Sequence, residues 1–325
     1  MKIAIVGATG AVGRMMITCL EEFQTEVEEL DLFASERSVG TTIYFNEESF
    51  KVQKLEERSL CKKYDYILFA VGGAISKVYA PIAADAGNTV IDNSAAWRRE
   101  EHIPLVVPEI NPELLAGYSG IIANPNCSTI QMVLALYPLH QQYGLNKVVV
   151  STYQSVSGSG FKGIKLLDNQ RAGSTDKGIY PEPIDMNVIP QIGAFLDDGY
   201  CQEEDKMSFE TTRILGIPSL KVCATTVRVP VVYGHAESVY AEFDREINLH
   251  DAELALKKSP SVIYHINTYM TQLNIGKSND SHVSRLRYGT DINSLAFWNV
   301  GHNVRLGAAT NAVRILIKHK ELNKK

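Results

Sequence analysis

Cys127 is the side chain best placed to do covalent chemistry. It stands in Asn124-Pro125-Asn126-Cys127-Ser128-Thr129, just ahead of the apolar stretch from Ile130 to Leu136. Pro125 forces an extended or turned approach. The segment beyond has helical character, which puts Cys127 near a helix N-terminus. The positive end of the helix dipole favours a thiolate there, and the same N–H groups can hold an oxyanion. Taken alone, the turn fits an inert buried cysteine equally well. The other cysteines, Cys19, Cys61, Cys201 and Cys223, form no Cys-x-x-Cys pair with it or with one another. That argues against structural zinc and against a redox dithiol, and no metal is expected.

A second pattern lies at the start of the chain. Gly7-Ala8-Thr9-Gly10-Ala11-Val12-Gly13 follows a short apolar run, Lys2 to Val6, and precedes a helical pattern, Ala11 to Glu22. Glycines between strand and helix let the backbone turn tightly and approach a phosphate, which the helix N-terminus then binds. A purely structural turn is the alternative. The next predicted strand, Glu29 to Ala34, leads into Ser35-Glu36-Arg37-Ser38. An NAD site usually carries a carboxylate here. Ser35, Arg37 and Ser38 instead suit a 2′-phosphate, with Arg37 supplying charge-assisted bonds, and so favour NADP over a merely solvated loop. With a dinucleotide fold upstream, Cys127 reads better as a nucleophile. A thiolate attacks an aldehyde, the adduct gives hydride to nicotinamide, and phosphate opens the resulting thioester. In reverse, an acyl phosphate is captured and reduced. Such chemistry needs a base, phosphate-binding cations and groups that orient the acyl carbon.

Strands alternating with helices position these turns. Further strands are expected at Asp65 to Val71, Thr89 to Asp92 and Leu105 to Val107, with a helix from Ser76 to Ala86 ending at Gly87. That succession implies parallel β-α-β units. From about Asn124 the pattern changes. Lys147 to Gln154, Lys221 to Pro230 and Ser238 to Phe243 read as strands, Arg171 to Asp185 as a polar loop, and Gly307 to His319 as an amphipathic helix. The expected fold is α/β: a Rossmann-like doubly wound sheet from residues 1–126 and about 300–325, and an α+β catalytic and dimerisation domain from 127–299. A length of 325 residues suits about two domains. The net charge of −5 gives no overall field for nucleic acid or an anionic membrane. The absence of a signal-peptide core or a long apolar run makes the cytoplasm the default expectation.

Taken together, the Gly7–Gly13 turn, Asn124–Thr129, Ser151-Thr152-Tyr153-Gln154 with Val156-Ser157-Gly158, Glu203-Glu204-Asp205-Lys206, and Arg228 with His235 resemble the bacterial aspartate-semialdehyde dehydrogenases, in the family's order and over nearly the whole chain. The resemblance implies a function: NADPH-dependent conversion of L-aspartyl-4-phosphate to L-aspartate-4-semialdehyde, toward lysine, threonine and methionine. It also implies roles. Cys127 is the nucleophile, His235 the acid/base, and Gln154 orients the substrate. Arg228 binds its α-carboxylate and Glu203 its α-amino group. Arg98, Asn126 and Lys206 hold phosphate. Gly7, Thr9, Gly10, Ala11, Val12, Ser35, Arg37, Ser38, Ser157, Gly158 and Asn303 contact NADP. Family members are homodimers or dimers of dimers.

Each residue has a plainer alternative. His235 is one of eight histidines, and Glu203 with Lys206 would by themselves be an exposed helix ion pair. Arg228 lies between Val227 and Val229, where an unpaired charge would be costly, and that favours a site role. Two rival readings remain. One is an N-acetyl-glutamyl-phosphate reductase, whose turn typically reads Asn-Pro-Gly-Cys-Tyr. The other is a non-catalytic NADP-binding sensor, which would keep only the glycine turn.

Overall fold

The computed structural model describes residues 1–323. Two compact units emerge: residues 1–125 with the stretch from Ala308 onward, and Asn126–Gly307. The second crossing falls later than the position near 300 expected from the sequence, because the last strand of the second unit's sheet runs to Gly301.

The first unit opens with β1 (Lys2–Val6), α1 (Ala11–Glu22) and β2 (Glu29–Ala34), at the expected bounds. A hairpin, β3 (Thr42–Phe45) and β4 (Glu48–Lys51), turns at Asn46 and Glu47, both at positive φ. Then come β5 (Gln53–Lys54), α2 (Glu57–Leu60), β6 (Tyr66–Phe69), α3 (Gly73–Asp85), β7 (Thr89–Asp92) and β8 (Ile121–Ala123). The sheet is parallel, in the order β5-β2-β1-β6-β7-β8. Helices cover such sheets on both faces, so the strands are apolar without alternation, as in Tyr66–Phe69, which is buried throughout. The expected strand Leu105–Val107 makes only one isolated bridge, Leu105 to Ala123. Pro104 and Pro108 bracket it, and without N–H groups they cannot extend a ladder. The order reverses at β1, between β2 and β6, and the turns after β1 and β6 both carry glycine. In open α/β sheets that switch point is where ligands bind.

The second unit begins with α4 (Cys127–Tyr143) and β9 (Leu145–Gln154), followed by α5 (Phe161–Arg171) and α6 (Gln202–Leu215). Next are β10 (Lys221–Arg228), β11 (His235–Phe243), α7 (Leu249–Lys258), β12 (Val262–His265), β13 (Ser281–Tyr288) and β14 (Ser294–Gly301). The mixed sheet runs β10-β9-β11-β14-β13-β12. Ser128 through Leu136 of α4 are all buried, the mark of a helix enclosed on every side. It packs on β9, β11, β13 and β14. On β9 and β11 burial alternates, so Thr152, Gln154, His235 and Glu237 point inward. Past Gly307 the chain re-enters the first unit, where α8 (Asn311–Leu322) packs on α1 and β7. Val313, Ile315 and Leu316 of α8 join Ile3, Ile5 and Leu20 in that core.

Candidate active site

In the first unit the glycine turn is a tight cradle. Gly7 has φ +87°, and a β-carbon there would stand 2.4 Å from the Ala70 carbonyl oxygen. Only glycine allows this approach of the β1 and β6 turns. Gly10 caps α1, whose first residues are Ala11 and Val12, so the turn aims a helix N-terminus outward as a phosphate site requires. Thr9 Oγ1 lies 3.3 Å from Ser38 Oγ, which ties the cradle to the loop after β2. In that loop Ser35 leads a short 3-10 turn holding Arg37 and Ser38. Glu36, a potential obstacle to a 2′-phosphate, is paired at 3.3 Å with Lys54 of β5. Arg98 is buried, and its Nη2 donates to the Asn93 carbonyl at 2.7 Å. Its loop is fastened by Asp92, which accepts from Ser76 Oγ at 2.6 Å and Ser94 N at 2.8 Å.

In the second unit three adjacent strands bring the expected side chains into one row. Gln154 is opposite Arg228 on the β10 side and opposite His235 on the β11 side. Neighbouring strands lie about 4.8 Å apart, so the three groups stand side by side on the face that α4 and α6 cover. Thr152 Oγ1 donates to Gln154 Oε1 at 3.0 Å, and Gln154 Nε2 donates to Glu203 Oε1 at 3.1 Å, which fixes the amide. Glu203 also accepts from Asn126 Nδ2 at 2.8 Å and pairs with Lys206 at 3.2 Å. It is therefore not the exposed ion pair that its spacing alone suggests. Burial raises its carboxyl, but Lys206, Asn126, Gln154 and Arg228 together hold it at about 2.

His235 is wholly buried. Its Nδ1 accepts the Ser155 backbone N–H at 3.0 Å. In a neutral ring with Nδ1 as acceptor, the proton is on Nε2. Burial first, and the Arg228 cation second, hold the ring down at about 3. Arg228 Nη1 donates to the Ser155 carbonyl at 2.7 Å. Among the described residues, Arg228 Nε and His235 Nε2 remain buried with no hydrogen-bond partner. Leaving a buried donor unsatisfied costs roughly 1–3 kcal/mol, so two flanking one amide mark a place for an anionic or carbonyl ligand. Gly158 borders the row, since a β-carbon there would stand 2.8 Å from Arg228 Nη1.

Cys127 is the first residue of α4 and half-buried. Its cap is Asn126, whose Oδ1 accepts from Ser128 N at 2.9 Å and Thr129 N at 3.3 Å. Gly307 backs the thiol turn: a β-carbon at 307 would come 2.6 Å from Cys127 Cβ. Asn303, expected at the cofactor, has both ends of its amide engaged. Its Oδ1 accepts from Gly234 N at 2.9 Å, and its Nδ2 donates to Ser157 Oγ at 2.9 Å. It braces the turn that leads into His235, and Ser157 belongs to the same network. Sequence reasoning missed Ser155, Glu210 and Gly307. Only Gly307 carried a signal, as the start of the expected last helix. Among the described residues no cluster of three or more His, Cys, Asp or Glu could hold a metal.

Residues 2–118 match the family described as semialdehyde dehydrogenase, NAD binding domain, and residues 136–306 match its dimerisation domain. The chain is 45% identical to aspartate-semialdehyde dehydrogenase of Aquifex aeolicus, over 97% of this chain and 96% of that one. It is 43% identical to the Bacillus subtilis enzyme of that name, over 99% and 98%. A crystal structure of aspartate semialdehyde dehydrogenase II from Vibrio cholerae, complexed with ASA, superposes with a TM-score of 0.95 at 42% identity, covering 100% of this chain and 99% of that one. The chain belongs to the aspartate-semialdehyde dehydrogenase family.

Proposed function

We propose that the protein reduces L-aspartyl-4-phosphate to L-aspartate-4-semialdehyde with NADPH, releasing inorganic phosphate, by way of a thioester on Cys127. The observation that carries this reading is the pair of orphaned donors, Arg228 Nε and His235 Nε2, flanking the fixed amide of Gln154. Arg228 takes the substrate α-carboxylate. Glu203, held ionised, faces the α-ammonium. Cys127 attacks the acyl carbon, the C–O bond to phosphate breaks, and the thioester forms. His235 donates from Nε2 to the carbonyl oxygen as negative charge grows there. Gln154 and the N–H groups of the α4 first turn orient the acyl group, and Asn126, Lys206 and Arg98 are assigned to the phosphate. Gly7, Thr9, Gly10, Ala11 and Val12 would hold NADPH, with Ser35, Arg37 and Ser38 at its 2′-phosphate, and the cofactor would supply the hydride when bound. Collapse of the adduct then frees the aldehyde and restores the thiolate. Ser157 and Gly158 are assigned to the nicotinamide side, and Asn303 to the support of that loop. The enzyme acts as a homodimer or a dimer of such dimers, built through the second unit, and works in the cytoplasm.

Absorbance at 340 nm tests this with purified protein, L-aspartate semialdehyde, phosphate and NADP or NAD. The expected result is phosphate-dependent growth of signal, faster with NADP. Signal only with N-acetyl-glutamate semialdehyde would move the protein to the reductase reading. Silence with both substrates would favour an NADP sensor.

A further inference from the structure

We propose that Glu210 is a positioning residue for Cys127: from α6 it holds the backbone N–H of Asn126, the cap of the helix that carries the thiol. This rests on Cys127 being the nucleophile. A helix N-terminus leaves N–H groups without partners inside the helix, and a capping box satisfies them from within. The cap side chain takes N–H groups of the first turn, and a Glu or Gln three residues on takes the N–H of the cap itself. α6 has that local form, with Glu204 Oε2 accepting from Cys201 N at 2.7 Å. On α4 only half of it is local. Asn126 caps Ser128 and Thr129. The residue three on is Thr129, whose hydroxyl is buried without a partner among the described residues. The Asn126 N–H goes instead to Glu210 Oε2, at 2.5 Å.

Two features make this more than a chance contact. Pro125 has no N–H, so Asn126 offers the only backbone donor between Asn124 and Cys127. Glu203 and Glu210 are seven residues apart on α6, two turns along one face. One takes the Asn126 side chain and the other its backbone. The residue before Cys127 is therefore gripped twice by one helix.

The test uses the full chain and three substitutions. Glu210→Gln keeps an acceptor at the same reach, Glu210→Leu removes it, and Glu210→Asp keeps the charge but shortens the reach. The readout is alkylation of Cys127 by iodoacetamide as a function of pH, followed on the peptide that carries it, together with kcat and NADP affinity. For Leu and Asp, alkylation at pH 7 is expected to fall about 10-fold, the scale of a lost cap. Its midpoint should move to higher pH, and kcat should fall at least as far, with NADP affinity within about twofold. Gln is expected to stay within about threefold of the parent throughout. Unchanged alkylation in Leu or Asp overturns the proposal. So does a Gln variant as impaired as Leu, or a midpoint that moves down in both, since charge and not the held N–H would then be acting. Should Leu fail to fold, the contrast of Asp with Gln decides alone. Alkylation reads Cys127 without assuming catalysis. A Cys127→Ala enzyme that still turned over would sink the thioester reading and leave the positional result standing.

Discussion

On the proposed thioester route, removing the sulfur of Cys127 takes away the nucleophile while leaving the glycine cradle untouched. Cys127→Ala is expected to lower kcat by roughly 10⁴-fold or more, with NADP affinity near that of the parent. Single-turnover kinetics and cofactor titration check both halves, and normal turnover would end the covalent mechanism. At this scale the sequence was most legible where chemistry is local. Pro125 ahead of Cys127 and an apolar helix behind it announce a thiol at a helix start, and Arg228 between two valines announces a charge with a purpose. Residues whose work depends on a distant partner were hidden. Nothing near Glu210 in the chain says that it will meet Asn126, and nothing near Ser155 says that its N–H will choose the proton position on His235.

Elements set the row Arg228–Gln154–His235, because three strands in register leave no freedom over which residues are neighbours. The sequence supplied these strands through their β-branched runs, but not their order. It also read Leu105–Val107 as a strand where flanking prolines forbid one. The same register buries Glu237 between Thr152 of β9 and Asn299 of β14, with Gln131 of α4 against it. None of these three neighbours is charged. The next titratable side chain on that face of β11 is His235. Asn299 Nδ2 donates to one carboxyl oxygen at 3.1 Å, and the other oxygen has no partner. Burial pushes the carboxyl up to about 8, against the opposing pull of the nearby Gln131 and Asn299 amides. The folded state then holds a proton that the unfolded chain releases near its ordinary value of 4.5. Stability therefore falls as pH rises from about 4.5 to about 8, and levels off above. Glu237→Gln lacks that loss. Denaturant unfolding across this range should find it gaining on the parent by at most about 1.4 kcal/mol per pH unit. A pH-independent difference would show that Glu237 is ionised when folded.

At the scale of the whole molecule, the second unit's sheet has a face that α4 does not cover. Alternation on β9, β10 and β11 turns Val149, Cys223, Thr225 and Ser238 to that side, all exposed, with Tyr153 and Tyr240 half-buried beside them. Trp298 of β14 packs its ring 5.5 Å from Tyr153 on the same face. A sheet face left to water is usually polar at alternate positions. This one carries a valine, two tyrosines and a tryptophan among its hydroxyls, and apolar side chains grouped in this way mark a surface that another chain covers. The matched dimerisation domain, residues 136–306, spans all of these strands. A homodimer built through the second unit is therefore expected to meet on this face. Two negative charges opposite their own symmetry mates would be desolvated without partners, which costs several kcal/mol. Val149→Glu combined with Tyr240→Glu should convert a species of twice the 36.0 kDa chain mass into a monomer, read by sedimentation equilibrium at micromolar concentration. The positions project away from the row at Gln154, so the monomer should keep its α-helical circular dichroism. A double variant that remains dimeric would move the interface to another face. A parent protein that sediments as a monomer would remove the dimer altogether.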